Sequence, residues 1–199
     1  MPRVSMYKTD RTIILASTSP RRRELLKLTG LRFKVQASDY EEDLTLELPP
    51  HALAIFLSKE KARSASKKYK NAIVIAADTF IAFRGKIFGK PHTEEESMKM
   101  LKALNGKAHS VITGFTIIDT KSKRSLSRAI ETKVYFRKLT IKEIETYVKS
   151  GETLDKAGAY AIQGLGSVII RRIEGDYFNV IGLPICALIQ GLKRFGINP

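Results

Sequence analysis

Ala72-Ile73-Val74-Ile75-Ala76-Ala77 is a short apolar run rich in β-branched residues, and Asp78 ends it. Such a run predicts a strand buried on both faces, as in an α/β sheet covered by helices. A carboxylate at the C-terminal end of that strand lies where open α/β sheets place their ligand crevices. Burying it ionised is costly unless a cation or hydrogen-bond donors face it. Cations stand on both sides in sequence: Arg21, Arg22 and Lys61 before it, Lys90 after it. A strand-end Asp can also cap a turn, here through Asp78-Thr79. The cationic company favours a ligand site.

Working outward, Ile13 to Ala16 predicts a first strand and Ser17-Thr18-Ser19-Pro20 the turn after it. Ser19 then serves as N-cap, Pro20 as the first helical residue, and Gly30 stands past the end. Arg21, Arg22 and Arg23 fill the first turn, against a macrodipole that favours negative charge there. Either they are solvated or something anionic docks on them. Arg32 to Ser38 alternates Phe33, Val35 and Ala37 as a strand does, and the acidic stretch Asp39-Tyr40-Glu41-Glu42-Asp43 follows. Pro49 and Pro50 open a helix to about Tyr69, whose core-facing line runs Leu53, Leu57, Lys61, Ala65. Lys61 interrupts that line, so it either snorkels outward or serves a buried partner.

Downstream, Phe80 to Arg84 and Lys86 to Phe88 form a hairpin turning at Arg84-Gly85. Thr93 with Glu96 predicts a capping box for a helix through Leu104, and Thr140 with Glu143 a second, ending at Gly151. Ser110 to Asp119 and Ser125 to Phe136 read as an antiparallel pair, Ser167 to Arg172 as a late strand, and Pro184 to Phe195 as a closing helix. The whole chain, 1–199, reads as a single domain of two intimate lobes without a firm internal boundary.

The chain has 35 Lys and Arg against 20 Asp and Glu, a net charge of +15. That excess concentrates phosphorylated ligands by its field, and also permits nonspecific nucleic-acid binding. With 43% hydrophobic residues the chain can bury a sizeable core, which excludes disorder. One cysteine, Cys186, excludes an internal disulfide, and its apolar surroundings predict an inert core thiol. The polar segment Met1 to Thr12 lacks a signal-peptide apolar region, and no run is long enough to span a membrane. A soluble cytoplasmic protein is expected.

Familiar chemical motifs are mostly missing. There is no Walker A sequence, and Gly164-Leu165-Gly166 lacks the third glycine of a dinucleotide fingerprint. His51, His92 and His109 are not spaced as zinc ligands. Carboxylates and cations at element ends remain, a pattern suited to metal-assisted phosphoryl chemistry. Mg²⁺ takes one or two carboxylates, with phosphate oxygens completing its shell. Asp78 and one of Glu41-Glu42 are the candidate ligands, while Lys61, Lys90, Arg21 and Arg22 would clamp the remaining phosphate charge. Asp155 to Gly164 is rich in small residues that let backbone approach a ligand. There Gln163 offers a donor and an acceptor for a base edge, or is an ordinary loop glutamine.

These segments, in order, resemble the Maf family of nucleoside triphosphate pyrophosphatases. The likeness opens with Leu15-Ala16-Ser17-Thr18-Ser19-Pro20-Arg21-Arg22-Arg23-Glu24-Leu25-Leu26 and continues through Ser58-Lys59-Glu60-Lys61-Ala62, Ala76-Ala77-Asp78-Thr79 and Gly89-Lys90-Pro91. It runs on through Asn105 to Gly114, Asp155 to Gly164 and Gly175 to Pro184. The resemblance implies a mixed, elongated sheet flanked by helices, with two lobes and a central substrate cleft. It implies hydrolysis of a nucleoside triphosphate to monophosphate and pyrophosphate with a divalent cation, Mg²⁺ or Mn²⁺, in a homodimer; a membrane partner is not expected for want of a long apolar run, nor a nucleic-acid partner for want of a helix-turn-helix signature. By motif position Asp78 is the proton acceptor; Arg21, Thr79 and Gln163 fall on substrate-choice positions, with Ser17 among the substrate contacts. Arg22, Glu42, Lys61 and Lys90 fall on phosphate- and metal-site positions, with Asp78 and Glu42 as metal ligands. Ala159-Tyr160-Ala161-Ile162-Gln163 resembles the branch acting on dTTP and UTP, so these and modified pyrimidine nucleotides are the expected substrates. The alternatives are a broader pyrophosphatase for noncanonical purine nucleotides, and a nucleic-acid-binding regulator of cell division. Arg84 departs from the family pattern and alters the hairpin's surface charge.

Overall fold

Seven strands make one mixed sheet in the order β2-β1-β3-β5-β6-β7, with β4 paired to β3. The computed structural model describes residues 9–198, so the reading of the polar N-terminus lies outside the described residues for 1–8. The strands are β1 (Thr12–Leu15), β2 (Lys34–Val35), β3 (Ala72–Phe83), β4 (Lys86–Phe88), β5 (Ala108–Asp119), β6 (Ser125–Phe136) and β7 (Ile170–Glu174). The helices are α1 (Pro20–Leu28), α2 (Pro50–Ser66), α3 (Glu94–Leu104), α4 (Ile141–Lys149), α5 (Tyr177–Ile181) and α6 (Ile185–Lys193). The mixed α/β architecture expected from the sequence is the one observed. Among the described residues no helix is long and apolar enough to cross a membrane.

The chain divides into two compact units. The first takes residues 9–78, 113–130 and 182–198 of the described chain; the second takes 79–112 and 131–181. In the first, β1 pairs in parallel with β2 and with β3, Leu15 opposite Val35 and Ile75. Its core joins Ile14 of β1 and Ala16 just after it, Ala62 and Ala65 of α2, and Val74 and Ala76 of β3. Small side chains at those positions let helix and strand approach closely. Gly114 of β5 goes further: a Cβ there would overlap the Ala54 carbonyl of α2. Ser58 of α2 also shares a hydrogen bond with Thr116 of β5 at 2.9 Å, and Thr116 another with Ser127 of β6 at 2.8 Å.

In the second unit β3 pairs antiparallel with β4 and β6 with β7. The turn residues Arg84 and Gly85 both take positive φ, 50° and 74°, as a tight two-residue hairpin requires. The core here gathers Ile81, Leu101, Leu104, Val134, Phe136 and Ile144 with the rings of Tyr147 and Tyr160.

Several expectations need correction. Asp78 does not end a strand, because β3 continues through it to Phe83. The strand changes partners along its length, β1 at 72–75 and β4 at 81–83, and Asp78 falls in the interval. The strand expected over 32–38 shrinks to two residues, both exposed, so alternation there reflects no buried face. The late strand starts at Ile170, since residues Gly164–Ile169 wind into a 3₁₀ turn. α2 ends at Ser66 rather than Tyr69, and α5 was not anticipated. Thr93 caps α3, but Glu96 accepts from His92 N instead of closing the box; Thr140 and Glu143 close theirs fully. Cys186 is exposed, because α6 buries Leu188 and Leu192 while Cys186 lies two residues, over half a turn, from Leu188.

Candidate active site

Alternation along β3 puts Asp78 on the same face as Val74 and Ala76, the face that packs on Ala62 and Ala65 of α2. Lys61 precedes Ala62 on that helix, one turn after the Ser58–Thr116 bond that holds α2 to β5. Its ammonium therefore does not snorkel. Lys61 is 7% exposed, and its Nζ donates to Asp78 Oδ1 and to Glu42 Oε1. Removing the cation from such a buried pair would strand the carboxylate at a cost of about 3–5 kcal/mol.

Glu42 comes from the acidic loop, and α2 holds that loop in place. Asp39 N donates to Ser64 Oγ at 3.2 Å, and the Asp39 carboxylate pairs with Lys68 at 2.8 Å. Those ties deliver Glu42 to Lys61 from the loop side. Burial, then the carboxylates of Glu60, Asp43, Asp78 and Glu42, push the Tyr40 phenol above its ordinary value. Glu41 is exposed.

The start of α1 adds cations. Ser19 Oγ accepts from Arg22 N, the cap expected, worth about 1 kcal/mol. Arg22 Nε donates to the Gly182 carbonyl at 2.9 Å and NH1 to Ser17 Oγ at 3.4 Å, with Ser17 itself buried. Burial lowers the Arg22 pKa; the Asp78 and Glu42 carboxylates pull it back up, and the neighbouring Arg21 lowers it again. Arg22 thus feels the acid pair, and Ser17, Arg22, Lys61, Glu42 and Asp78 form one constellation within the first unit. Arg21 is half-buried beside it.

Asp78 Oδ2 is buried and has no hydrogen-bond partner among the described residues. An orphaned carboxylate oxygen beside an ion pair is costly unless something occupies that side. No cluster of three or more His, Cys, Asp or Glu residues able to hold a metal occurs among the described residues. Asp78 and Glu42 nevertheless converge on a single cation, the Lys61 ammonium. Two carboxylates, each with one oxygen off Lys61, fit a hard divalent ion whose remaining ligands are water and substrate oxygens.

Thr79, Lys90 and Gln163 belong to the second unit. Thr79 follows Asp78 on β3 and is half-buried; Lys90 and Gln163 are exposed. Gly89, next to Lys90, accepts from Gly158 N at 2.9 Å, which ties the lysine's segment to the start of the Gln163 loop. Gly158 takes φ 67°, and a Cβ there would meet Ile81 Cδ1. Its smallness thus serves packing within the protein. Further along, the Tyr160 hydroxyl bonds His109 Nε2 at 2.6 Å, and Ala161 N donates to Tyr147 Oη at 3.3 Å. Sequence reasoning missed this clamp on the loop. Nothing local in the sequence links positions 109, 147 and 160.

Comparison with known proteins agrees with the motif order. The family described as Maf-like protein matches residues 12–195. A dTTP/UTP pyrophosphatase of Thermoanaerobacter sp. (strain X514) is 51% identical over 183 residues, covering 92% of this chain and 95% of the relative. One of Methanosarcina barkeri (strain Fusaro / DSM 804) is 47% identical over 189 residues, covering 94% and 96%. One of Bacillus pumilus (strain SAFR-032) is 43% identical over 187 residues, covering 94% and 98%.

Proposed function

The chain belongs to the Maf family, and from that membership we propose that it hydrolyses dTTP and UTP, with modified pyrimidine nucleotides, to the monophosphate and pyrophosphate. It is a nucleoside triphosphate pyrophosphatase. The relatives' activity supports this reading, and one observation carries it: the unpartnered oxygen of buried Asp78 beside Lys61.

In our reading the attacking water passes its proton to the Asp78 carboxylate as its oxygen bonds the α-phosphorus. The bond from the α-phosphorus to the bridging oxygen breaks, and that oxygen leaves with its electron pair on pyrophosphate. Lys61, fixed between Asp78 and Glu42, orients the Asp78 carboxylate and faces the developing phosphoryl charge. Arg22, braced by Gly182 and Ser17, and Arg21 bind phosphate oxygens, and Lys90 binds the leaving group. Thr79 and Gln163 read the base, Gln163 using both its amide donor and its carbonyl acceptor. A divalent cation, Mg²⁺ or Mn²⁺, held by Asp78 and Glu42 would neutralise polyphosphate charge and acidify the water. We assign the chain to the cytoplasm as a homodimer, as the family likeness implies.

Pyrophosphate release from dTTP, followed with Mg²⁺ or Mn²⁺, tests the proposal. Asp78→Asn keeps the shape and removes the charge, and should lower kcat by about 100-fold or more. Undiminished turnover in that variant would remove Asp78 from the mechanism.

A further inference from the structure

The second unit holds a cavity of about 640 Å³ between the β3–β4 hairpin and α3. Of the residues assigned to substrate above, Lys90 alone reaches its lining. Its floor is aromatic and apolar: Phe83 and Phe88, with ring centroids 6.5 Å apart and 42° between planes, and Met100 of α3. Its walls are cationic, with Arg84 and Lys86 from the hairpin, Lys99 from α3, and Lys107 just before β5.

Counter-charge is scarce. Glu96 is the one carboxylate in the lining, and one of its oxygens already accepts from His92 N at 2.7 Å. Among the described residues Arg84 and Lys86 make no ion pair with a carboxylate, and Lys99 feels the Glu95 carboxylate one turn before it on α3 without closing an ion pair. Arg84 and Lys107 instead stand over the Phe83 ring, at 5.3 and 5.5 Å from its centroid. Solvated lysines on a convex helix face would need no further account. Here the cations ring a concavity of ligand size, and both rings are only partly covered. A positive wall over aromatic faces is the chemistry that binds a nucleotide unit, the base against the rings and the phosphate among the cations.

We propose that this cavity is a second, non-catalytic nucleotide site: a pyrimidine or purine ring packs against Phe88, and its phosphate is held by Arg84, Lys86 and Lys99. The same unit of chemistry comes either as a free nucleoside monophosphate or as one residue of a single strand. The site stands on its own geometry and does not depend on which triphosphate the protein hydrolyses.

Binding of dTMP and of a fluorescein-labelled eight-residue oligo(dT) to the full chain tests it, alongside the Lys86→Glu/Lys99→Glu variant. A control variant, Lys121→Glu/Lys142→Glu, changes net charge equally at exposed positions outside the cavity. The cavity variant should bind the successful probe at least about tenfold more weakly, with the salt slope reduced by about two, and the control far less. Its kcat/KM for dTTP should stay within about twofold of the parent's. Binding of dTMP alone would identify the free nucleotide as ligand, and binding of the oligonucleotide alone a strand. Equal losses in both variants would reduce the effect to bulk charge and overturn the site, as would no binding of either probe at millimolar concentration. Parallel loss of dTTP turnover in the cavity variant would make the cavity part of the substrate site and overturn its independence. A protein that hydrolyses no dTTP but binds a probe through Lys86 and Lys99 would sink only the pyrophosphatase reading.

Discussion

Two buried titratable side chains meet their surroundings in opposite ways. Asp78 has found a cation, whereas His109 is buried among Phe136 and Tyr160 and has found only a hydroxyl. Burial holds the His109 imidazole down to about 4 from the ordinary 6.5. Below pH 6.5 the unfolded chain takes up a proton that the folded chain refuses. Stability from this group is therefore whole above 6.5 and declines as pH falls toward about 4. The full gap is worth roughly 3 kcal/mol. Urea unfolding at pH 7 and at pH 4.5 measures it, using His109→Gln, which still offers Tyr160 a partner. The parent should lose about 2–3 kcal/mol more than the variant across that interval. Equal losses would show that the imidazole is protonated in place.

At the scale of elements, the site depends on how closely α2 lies on β5. Gly114→Ala would push a methyl group into the Ala54 carbonyl, backbone against backbone, with no flexible end to yield. We expect a loss of about 3 kcal/mol, a Tm lower by roughly 6–12 °C. Gly85→Ala makes the contrast: nothing lies near its Cβ, and only its φ of 74° resists, so about 1 kcal/mol is expected. Differential scanning calorimetry of both variants separates crowding from backbone strain; equal Tm values would contradict the close approach. Much at this scale was legible in the sequence. The Ser19 cap, the Leu53-Leu57-Lys61-Ala65 line and the Arg84-Gly85 turn depend on residues within a turn or two, and they formed as expected. The continuation of β3 past Asp78 was not legible, because it is set by β4 arriving from later in the chain. Nor was the choice of Lys61 for Glu42, which depends on Ser64 and Lys68 anchoring Asp39.

Across the whole molecule the excess of 15 positive charges acts on substrate before any contact forms. A triphosphate should be drawn in faster than a neutral solute, and salt should weaken the pull. We expect kcat/KM for dTTP to fall several-fold between about 50 and about 300 mM salt, where the screening length drops below about 6 Å. A flat profile would mean that local contacts alone govern capture. Composition announced this field from the start, but not where it is left unneutralised. Lys61 is spent on two carboxylates, while Arg84 and Lys86 are not, and only folding separates them. Cys186 brings a different kind of consequence. Its sulfur is the one thiol in the sequence, and it faces solvent on α6. A maleimide dye would therefore attach at a single defined address, without removing other cysteines first. Stored without reductant, two chains would become covalently joined there, and a gel run without thiol would show the doubled band.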